Sequence, residues 1–241
     1  RIPSKEFNKK VFAFGSKSGQ IKSTAYNDSE EICIPIYPLS SINNMFKNVS
    51  YLNVVHTAFL RKEKIKSLGL KEYIEINKYI TNQVRDLLST SSNSKVIDIS
   101  SGAACIFGNK EARYQNIETD PYGFLKLEEE NILSSESKCL VMRIYALTGR
   151  FITNPNLFAL GDFLLTAIRN EKICLHSKKN IFRSYGYAGE IAACGLSYLY
   201  LDDFDRKKSI INCATHTVNL LELAKKITEI YRLPSVESSV D

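Results

Sequence analysis

The stretch Val96-Ile97-Asp98-Ile99-Ser100-Ser101-Gly102, with Asp120-Pro121-Tyr122-Gly123-Phe124-Leu125-Lys126 beyond it, decides the fold. A short β-branched run that stops at Ser-Ser-Gly reads as a strand with a turn behind it. Proline just after Asp120 is a helix-start signal, and helical spacing carries 122–133. Cys139-Leu140-Val141-Met142-Arg143-Ile144-Tyr145 returns as a strand. Strand, helix and strand in this order form the unit of a parallel sheet.

The same alternation extends in both directions. Residues 11–14, 32–37 and 51–56 read as strands. Residues 71–88 show helical spacing at Tyr73, Ile76, Ile80, Val84 and Leu87. Helices are expected over 157–168, 187–200 and 218–231, and strands over 173–175 and 210–213. The class is therefore α/β with a largely parallel sheet, and such sheets bind ligands at the carboxyl ends of their strands. No long linker divides the chain, so a second domain must be small or interleaved. The tail 235–241 reads as loose.

The 241 residues carry 32 Lys and Arg against 26 Asp and Glu, a formal charge of +6, with 44% hydrophobic residues. These are ordinary globular values, which excludes general disorder. The basic residues cluster weakly, at Lys9, Lys10 and Lys17, over 61–71 and over 172–183. They read first as solvated surface and next as contacts for small anions such as phosphates. No aromatic-rich basic stripe appears, so no nucleic-acid partner is expected. No apolar run approaches the roughly 20 residues that cross a bilayer, and no signal peptide is read. Neither a membrane nor a metal is called for: His56, His176 and His216 are far apart, and none of the six cysteines forms a CxxC pair. Most cysteines have apolar neighbours, as buried thiols do, which suits a reducing, cytoplasmic setting.

The loops behind the strands hold the candidate chemistry. Thr57-Ala58 follow 51–56, and Ser101 follows 96–99. Tyr122 and Lys126 stand four apart, on one helix face. A cation beside a phenol lowers its pKa from about 10, and such a tyrosine exchanges a proton with a sugar hydroxyl or carbonyl. A serine hydroxyl holds the same oxygen, an arrangement suited to hydride transfer with a nicotinamide. By itself the Tyr-x-x-x-Lys spacing carries nothing, since chance supplies it in a chain with 13 tyrosines.

The order of several motifs tells more. Val54-Val55-His56-Thr57-Ala58 resembles the V-I-H-L-A strand of the extended short-chain dehydrogenase/reductase family, the nucleotide-sugar epimerases, dehydratases and reductases. Asn77 resembles the asparagine of its next helix. Ile99-Ser100-Ser101-Gly102-Ala103 resembles its serine strand, and 121–130 its P-Y-G-x-S-K-x-x-x-E helix. Met142-Arg143-Ile144-Tyr145 with Gly149 is similar to its L-R-x-x-N-x-x-G strand, 183–191 to its R-D-F-x-x-V-x-D segment, and Ile211-Asn212-Cys213 to its Y-N-V element. The resemblance implies a Rossmann-like sheet in a partial NAD(P)-binding domain over 1–150. It implies a small substrate region over 151–234, interleaved with the last sheet elements. It further implies catalysis by Ser101, Tyr122 and Lys126 on a nucleotide-activated sugar. Cofactor contacts would come from Ser16, Lys17, Thr57, Ala58, Asn77, Ile99, Tyr122 and Lys126, and substrate contacts from Thr148, Asn154 and Arg183. A homodimer through the Asn77 and Tyr122 helices would present Ile76, Ile80, Phe124 and Leu127.

Several positions depart from the family pattern. No Gly-x-x-Gly-x-x-Gly loop is present; Gly15 and Gly19 are four apart. The resemblance makes 11–14 the family's second strand and implies a βα unit of roughly 20 to 30 residues before Arg1, with further elements after Pro234. NAD enzymes place an acid after strand two; here Gly15-Ser16-Lys17-Ser18 stands there, which favours NADP slightly over NAD. Gly102-Ala103 replaces the Asp-Glu of the dehydratases, so a reductase or an epimerase is expected. Ala146 replaces the strand asparagine. Ala104-Cys105-Ile106-Phe107 resembles the S-C-I-Y of GDP-fucose synthases, whose cysteine is an epimerising base. With no histidine partner apparent, the plainer expectation for Cys105 is a packing thiol. The competing expectation for the whole chain is a truncated, inactive member that binds or dimerises.

Overall fold

A computed structural model describes residues 11–24, 31–47, 49–91, 93–108, 116–150, 152, 154–175, 177, 179–201 and 208–238. Lys9, Lys10 and His176 lie outside them. Strand β1 (Ala13–Gly15) pairs in parallel with β3 (Glu31–Pro38), which also pairs antiparallel with β2 (Gly19–Thr24). Short helix α1 (Ile42–Met45) follows, and Asn43 reaches Gln83 at 3.4 Å. Next come β4 (Tyr51–His56), α2 (Ile65–Leu68), the long α3 (Leu70–Ser89), β5 (Asn93–Ser101), α4 (Pro121–Glu136) and β6 (Lys138–Ile144). The remainder is β7 (Ala146–Thr148), α5 (Ala159–Ile168), β8 (Cys174–Leu175), β9 (Phe182–Tyr187), α6 (Ala188–Tyr200), β10 (Lys208–Cys213), β11 (His216–Asn219), α7 (Leu220–Tyr231) and β12 (Glu237–Ser238).

The main sheet is parallel throughout, in the order β10-β6-β5-β4. Alternation along β5 sends Val96 to one face, with Val54, Val141, Val84, Leu88 and Leu133. It sends Ile97 and Ile99 to the other, with Leu140, Met142, Tyr198 and Leu199. Helices α3 and α4 therefore cover one face and α6 the other, the Rossmann-like layering. Gly195 lets α6 come close: a Cβ there would stand 2.9 Å from the Met142 sulfur. Helices α5 and α7 form a separate core around Phe163, Ala167, Ile173, Ala224 and Ile227.

Five strands, β2, β7, β9, β11 and β12, lie outside the expected ones. Phe182–Tyr187 is rich in polar residues and aromatics, yet it joins β7 in parallel and β11 antiparallel. The strands β9 and β11 delay the following helices to Ala188 and Leu220; Asn219 caps the latter by accepting from Leu221 and Glu222 N–H. The tail is not loose throughout, because Glu237–Ser238 pairs with β8. The cysteines differ from expectation too: only Cys139 and Cys213 are buried, while Cys33, Cys174 and Cys194 are exposed, and all six are free thiols. No helix among the described residues is long and apolar enough to cross a membrane.

Helix α4 starts where Asp120 accepts a hydrogen bond from Gly123 N–H at 3.2 Å. Its sheet-facing stripe is Lys126, Glu129, Glu130 and Leu133, the i, i+3, i+4, i+7 spacing of a packed helix. Three of the four carry charge, and all are buried. Glu130 accepts from Arg143 at 2.8 and 2.7 Å and from Ser100 Oγ at 2.6 Å. Removing one partner of such a buried pair costs about 3–5 kcal/mol. Glu130→Ala should lose stability of about that size in urea titrations; a loss typical of a surface site would mean that Arg143 finds water instead.

Candidate active site

The carboxyl ends of β4 and β5 and the first turns of α4 meet on one edge of the sheet. Ser100 is buried and committed to Glu130, whereas Ser101 is half-buried, its Oγ accepting from Ala103 N–H at 3.2 Å. Ser101 is therefore the hydroxyl left towards the edge. Tyr122 is half-buried at the second position of α4. Lys126, one turn later, is 3% exposed and points inward. Its ammonium donates to Ile99 O at 3.0 Å and to Glu129 Oε1 at 2.8 Å.

Phe59 stands between the two expected partners. Its ring centroid lies 4.0 Å from Lys126 Nζ, a cation–π contact. The same ring meets Tyr122 edge-on, with centroids 5.7 Å apart. The 57–60 loop is braced from α3: Asn77 Oδ1 accepts from Leu60 N–H at 2.8 Å, and Tyr73 Oη donates to Leu60 O at 2.9 Å. Asn77 is 1% exposed, and its Nδ2 donates to Tyr73 O. It thus acts on this edge through the loop and offers no open amide of its own. Thr57 is exposed and Ala58 half-buried.

Glu129 collects three partners: Lys126, His56 Nε2 at 3.2 Å and Thr81 Oγ1 at 3.2 Å. Burial alone would raise its carboxyl. The His56 hydrogen bond, with the Lys126 and His56 charges, overcomes burial and holds it at about 2. Asp98, beside His56 in the ladder, is fully buried, and neither of its oxygens has a hydrogen-bond partner. Burial and then the Glu129 carboxylate push it well above the usual carboxylate range, against the pull of Lys126.

The other expected contacts are spread out. Ser16 and Lys17 are exposed in the turn between β1 and β2. Thr148 ends β7, opposite Tyr187, and donates to Gly186 O at 3.4 Å. Arg183 sits near the other end of β9, exposed, with Nη1 on Phe182 O. Asn154 is exposed ahead of a short 3-10 turn. The structure joins Lys126 to Ile99 directly and to Tyr122 through Phe59. It shows no contact among Thr148, Asn154 and Arg183. Phe59, Asp98 and Glu129 are not among the residues expected from sequence. The run Glu128-Glu129-Glu130 reads as a solvated face unless the 126/129/130/133 stripe is traced.

By sequence, the chain matches no protein-family model and no curated protein. By structure, it matches solved sugar-nucleotide epimerases over most of its length. The UDP-N-acetylglucosamine 4-epimerase of Methanobrevibacter ruminantium, solved with UDP-N-acetylmuramic acid, superposes with a TM-score of 0.66 at 18% identity, covering 86% of this chain and 70% of that one. The chain has the fold of the UDP-sugar 4-epimerases. The UDP-glucose 4-epimerase of Thermotoga maritima, solved with UDP-glucose, gives 0.61 at 18% identity, over 84% of this chain and 69% of that one. That of Thermus thermophilus, solved with NAD, gives 0.62 at 18% identity, over 85% and 71%.

The two buried acids pull stability in opposite directions with pH. Glu129 has a depressed pKa, so its contribution is present above its unfolded value and is lost as pH falls towards about 2. Asp98 has a raised one: the unfolded chain releases this proton near pH 4 while the folded chain keeps it, so rising pH weakens the fold. Asp98→Asn should remove that penalty. Its melting temperature should exceed the native chain's at pH 8 by more than at pH 4; parallel pH profiles would show that Asp98 is not held protonated.

Proposed function

We propose that this chain is a nucleotide-sugar epimerase or reductase of the extended short-chain dehydrogenase/reductase type, with a nicotinamide dinucleotide and a UDP-type sugar bound at the carboxyl edge of the parallel sheet. The observation that supports this reading is the fold shared with UDP-sugar 4-epimerases, in which Lys126 reaches Ile99 O at the end of β5 and Tyr122 stands one turn before it on α4. The half-buried Ser101 hydroxyl would hold the reacting sugar oxygen, and Tyr122 would pass the proton. Lys126, with Thr57, Ala58 and Ile99, would line the cofactor side, and Asn77 would serve it by fixing the 57–60 loop. Ser16 and Lys17, both exposed, suit a 2′-phosphate and so favour NADP slightly over NAD. Thr148, Asn154 and Arg183 would meet the sugar nucleotide from the region beyond 150. Pairing of two copies through α3 and α4 belongs to the same reading.

Two contacts stand in the way of a dinucleotide here: the Phe59 ring covers the ammonium that would face the ribose, and Glu129 holds it at 2.8 Å. A bound nicotinamide supplies hydride transfer; what this chain must do is turn that ring aside and present Lys126. The same contact favours a second reading, a binding or pairing module without turnover.

Calorimetry with NADP and with NAD separates the two readings. Micromolar binding is expected, weakened at least tenfold by Lys126→Ala and strengthened by Phe59→Ala. Binding of neither cofactor by the native chain or by Phe59→Ala would leave the second reading.

A further inference from the structure

Between α3 and α4 the structure leaves a cavity of about 270 Å³. Positions 78, 81, 82 and 85 of α3 face positions 125, 128, 129 and 132 of α4 across it, each set being the i, i+3, i+4, i+7 stripe of one helix face. Phe59, from the loop after β4, completes the wall. None of Ser101, Tyr122 and Lys126 lines it. It is therefore a site apart from the carboxyl edge, although the Phe59 ring borders both.

The helices are tied at the inner end of this cavity, where buried Thr81 donates to buried Glu129 at 3.2 Å. Farther out the facing side chains are long, and they reach over the groove instead of filling it. Lys78 Nζ stands 3.4 Å from Glu128 Oε1, and the two side chains are 46% and 35% exposed. Such a pair adds little to stability, so both ends are free to take new partners. Arg85, two turns along α3 from Lys78, is held by Asp86 through Nε and Nη2.

Glu128 is left incomplete by this pair. Its Oε2 is buried and has no hydrogen-bond partner among the described residues. A buried carboxylate oxygen without a donor is a cost that native structures rarely carry. The side chain as a whole is partly exposed, so a turn about its last torsion brings that oxygen to the mouth of the cavity. A charged donor arriving there removes the cost. An amine alone would set a second cation against Lys78, and an anion alone would set its charge against Glu128. A zwitterion answers both, with its ammonium on Glu128 and its carboxylate on Lys78. Deeper in, Phe59, Leu125 and Ile132 offer apolar contact. Pockets for drug-sized molecules run from about 300 to 1,000 Å³, so this one suits a smaller molecule.

We propose that the α3/α4 cavity binds an α-amino acid with an apolar side chain, its ammonium on Glu128, its carboxylate on Lys78 and its side chain against Phe59, Leu125 and Ile132. Binding makes and breaks no covalent bond, and it requires neither a dinucleotide nor a sugar at the carboxyl edge.

The test is calorimetry of the full chain with L-leucine. Saturable binding is expected, with a Kd of about 1 mM or tighter. N-acetyl-L-leucine lacks the ammonium and L-leucinamide lacks the carboxylate; each should bind the native chain at least tenfold more weakly, the loss of one charge-assisted hydrogen bond. Glu128→Gln, which keeps the shape and removes the charge, should weaken L-leucine by a similar factor. Ile132→Trp, which fills the cavity, should abolish binding. Absence of saturable binding by the native chain overturns the proposal. So does L-leucine binding that either derivative matches, or that Glu128→Gln leaves untouched.

Discussion

Lys126, Glu129 and Glu130 enter the space between α4 and the parallel sheet as full charges, and the rest of this edge depends on how they are satisfied. Desolvating a charge costs several kcal/mol unless close partners replace water. Here Glu129 has Lys126, His56 and Thr81, and Glu130 has Ser100 and Arg143 with Lys208 3.8 Å away. These bonds are directional, unlike the contacts of Leu133, so they set the register of α4 on β5 and β6 as well as its distance. Asp98 is the exception, a carboxyl without a hydrogen-bond partner in the same seam, whose pKa burial and the Glu129 carboxylate raise.

The seam has consequences on the solvent side. It turns Lys126 inward, and Phe59 closes over the ammonium, which leaves Tyr122 facing a ring where a cation was expected. Presenting Lys126 to solvent would mean moving Phe59 and loosening the grip of Glu129. Arg143 carries the seam in the other direction, from Glu130 to the Cys105 sulfur. The Tyr122 region and Cys105 are thus tied to adjacent carboxylates of one helix.

Much of this is legible in the sequence where local patterning and tertiary demand agree. Residues 51–56 form the expected strand because apolar Val54 and Val55 alternate against a hydrophobic β5, and α4 starts at Pro121 because proline suits a first turn. The polar strand Phe182–Tyr187 is illegible: its pairing comes from neighbours far along the chain, and it has no apolar alternation to announce it. Glu129 is hidden in a run of three acids, and its burial follows only from the pitch of α4 against a particular strand. Cys105 departs from the packing thiol expected of it for a related reason. No histidine accompanies it in sequence, and its partners are an arginine and a tyrosine some forty residues away at the end of β6.

The central claim is that Lys126 and Glu129 act as one buried unit that fixes this edge. A double-mutant cycle with Lys126→Met and Glu129→Leu, followed by urea unfolding, tests it most directly. Each single change should destabilise strongly by leaving a buried charge behind, and the double variant should recover part of the loss, giving a coupling of about 1 kcal/mol or more. Additive losses, within about 0.5 kcal/mol, would contradict it and return Lys126 to the role of a free cation beside Tyr122.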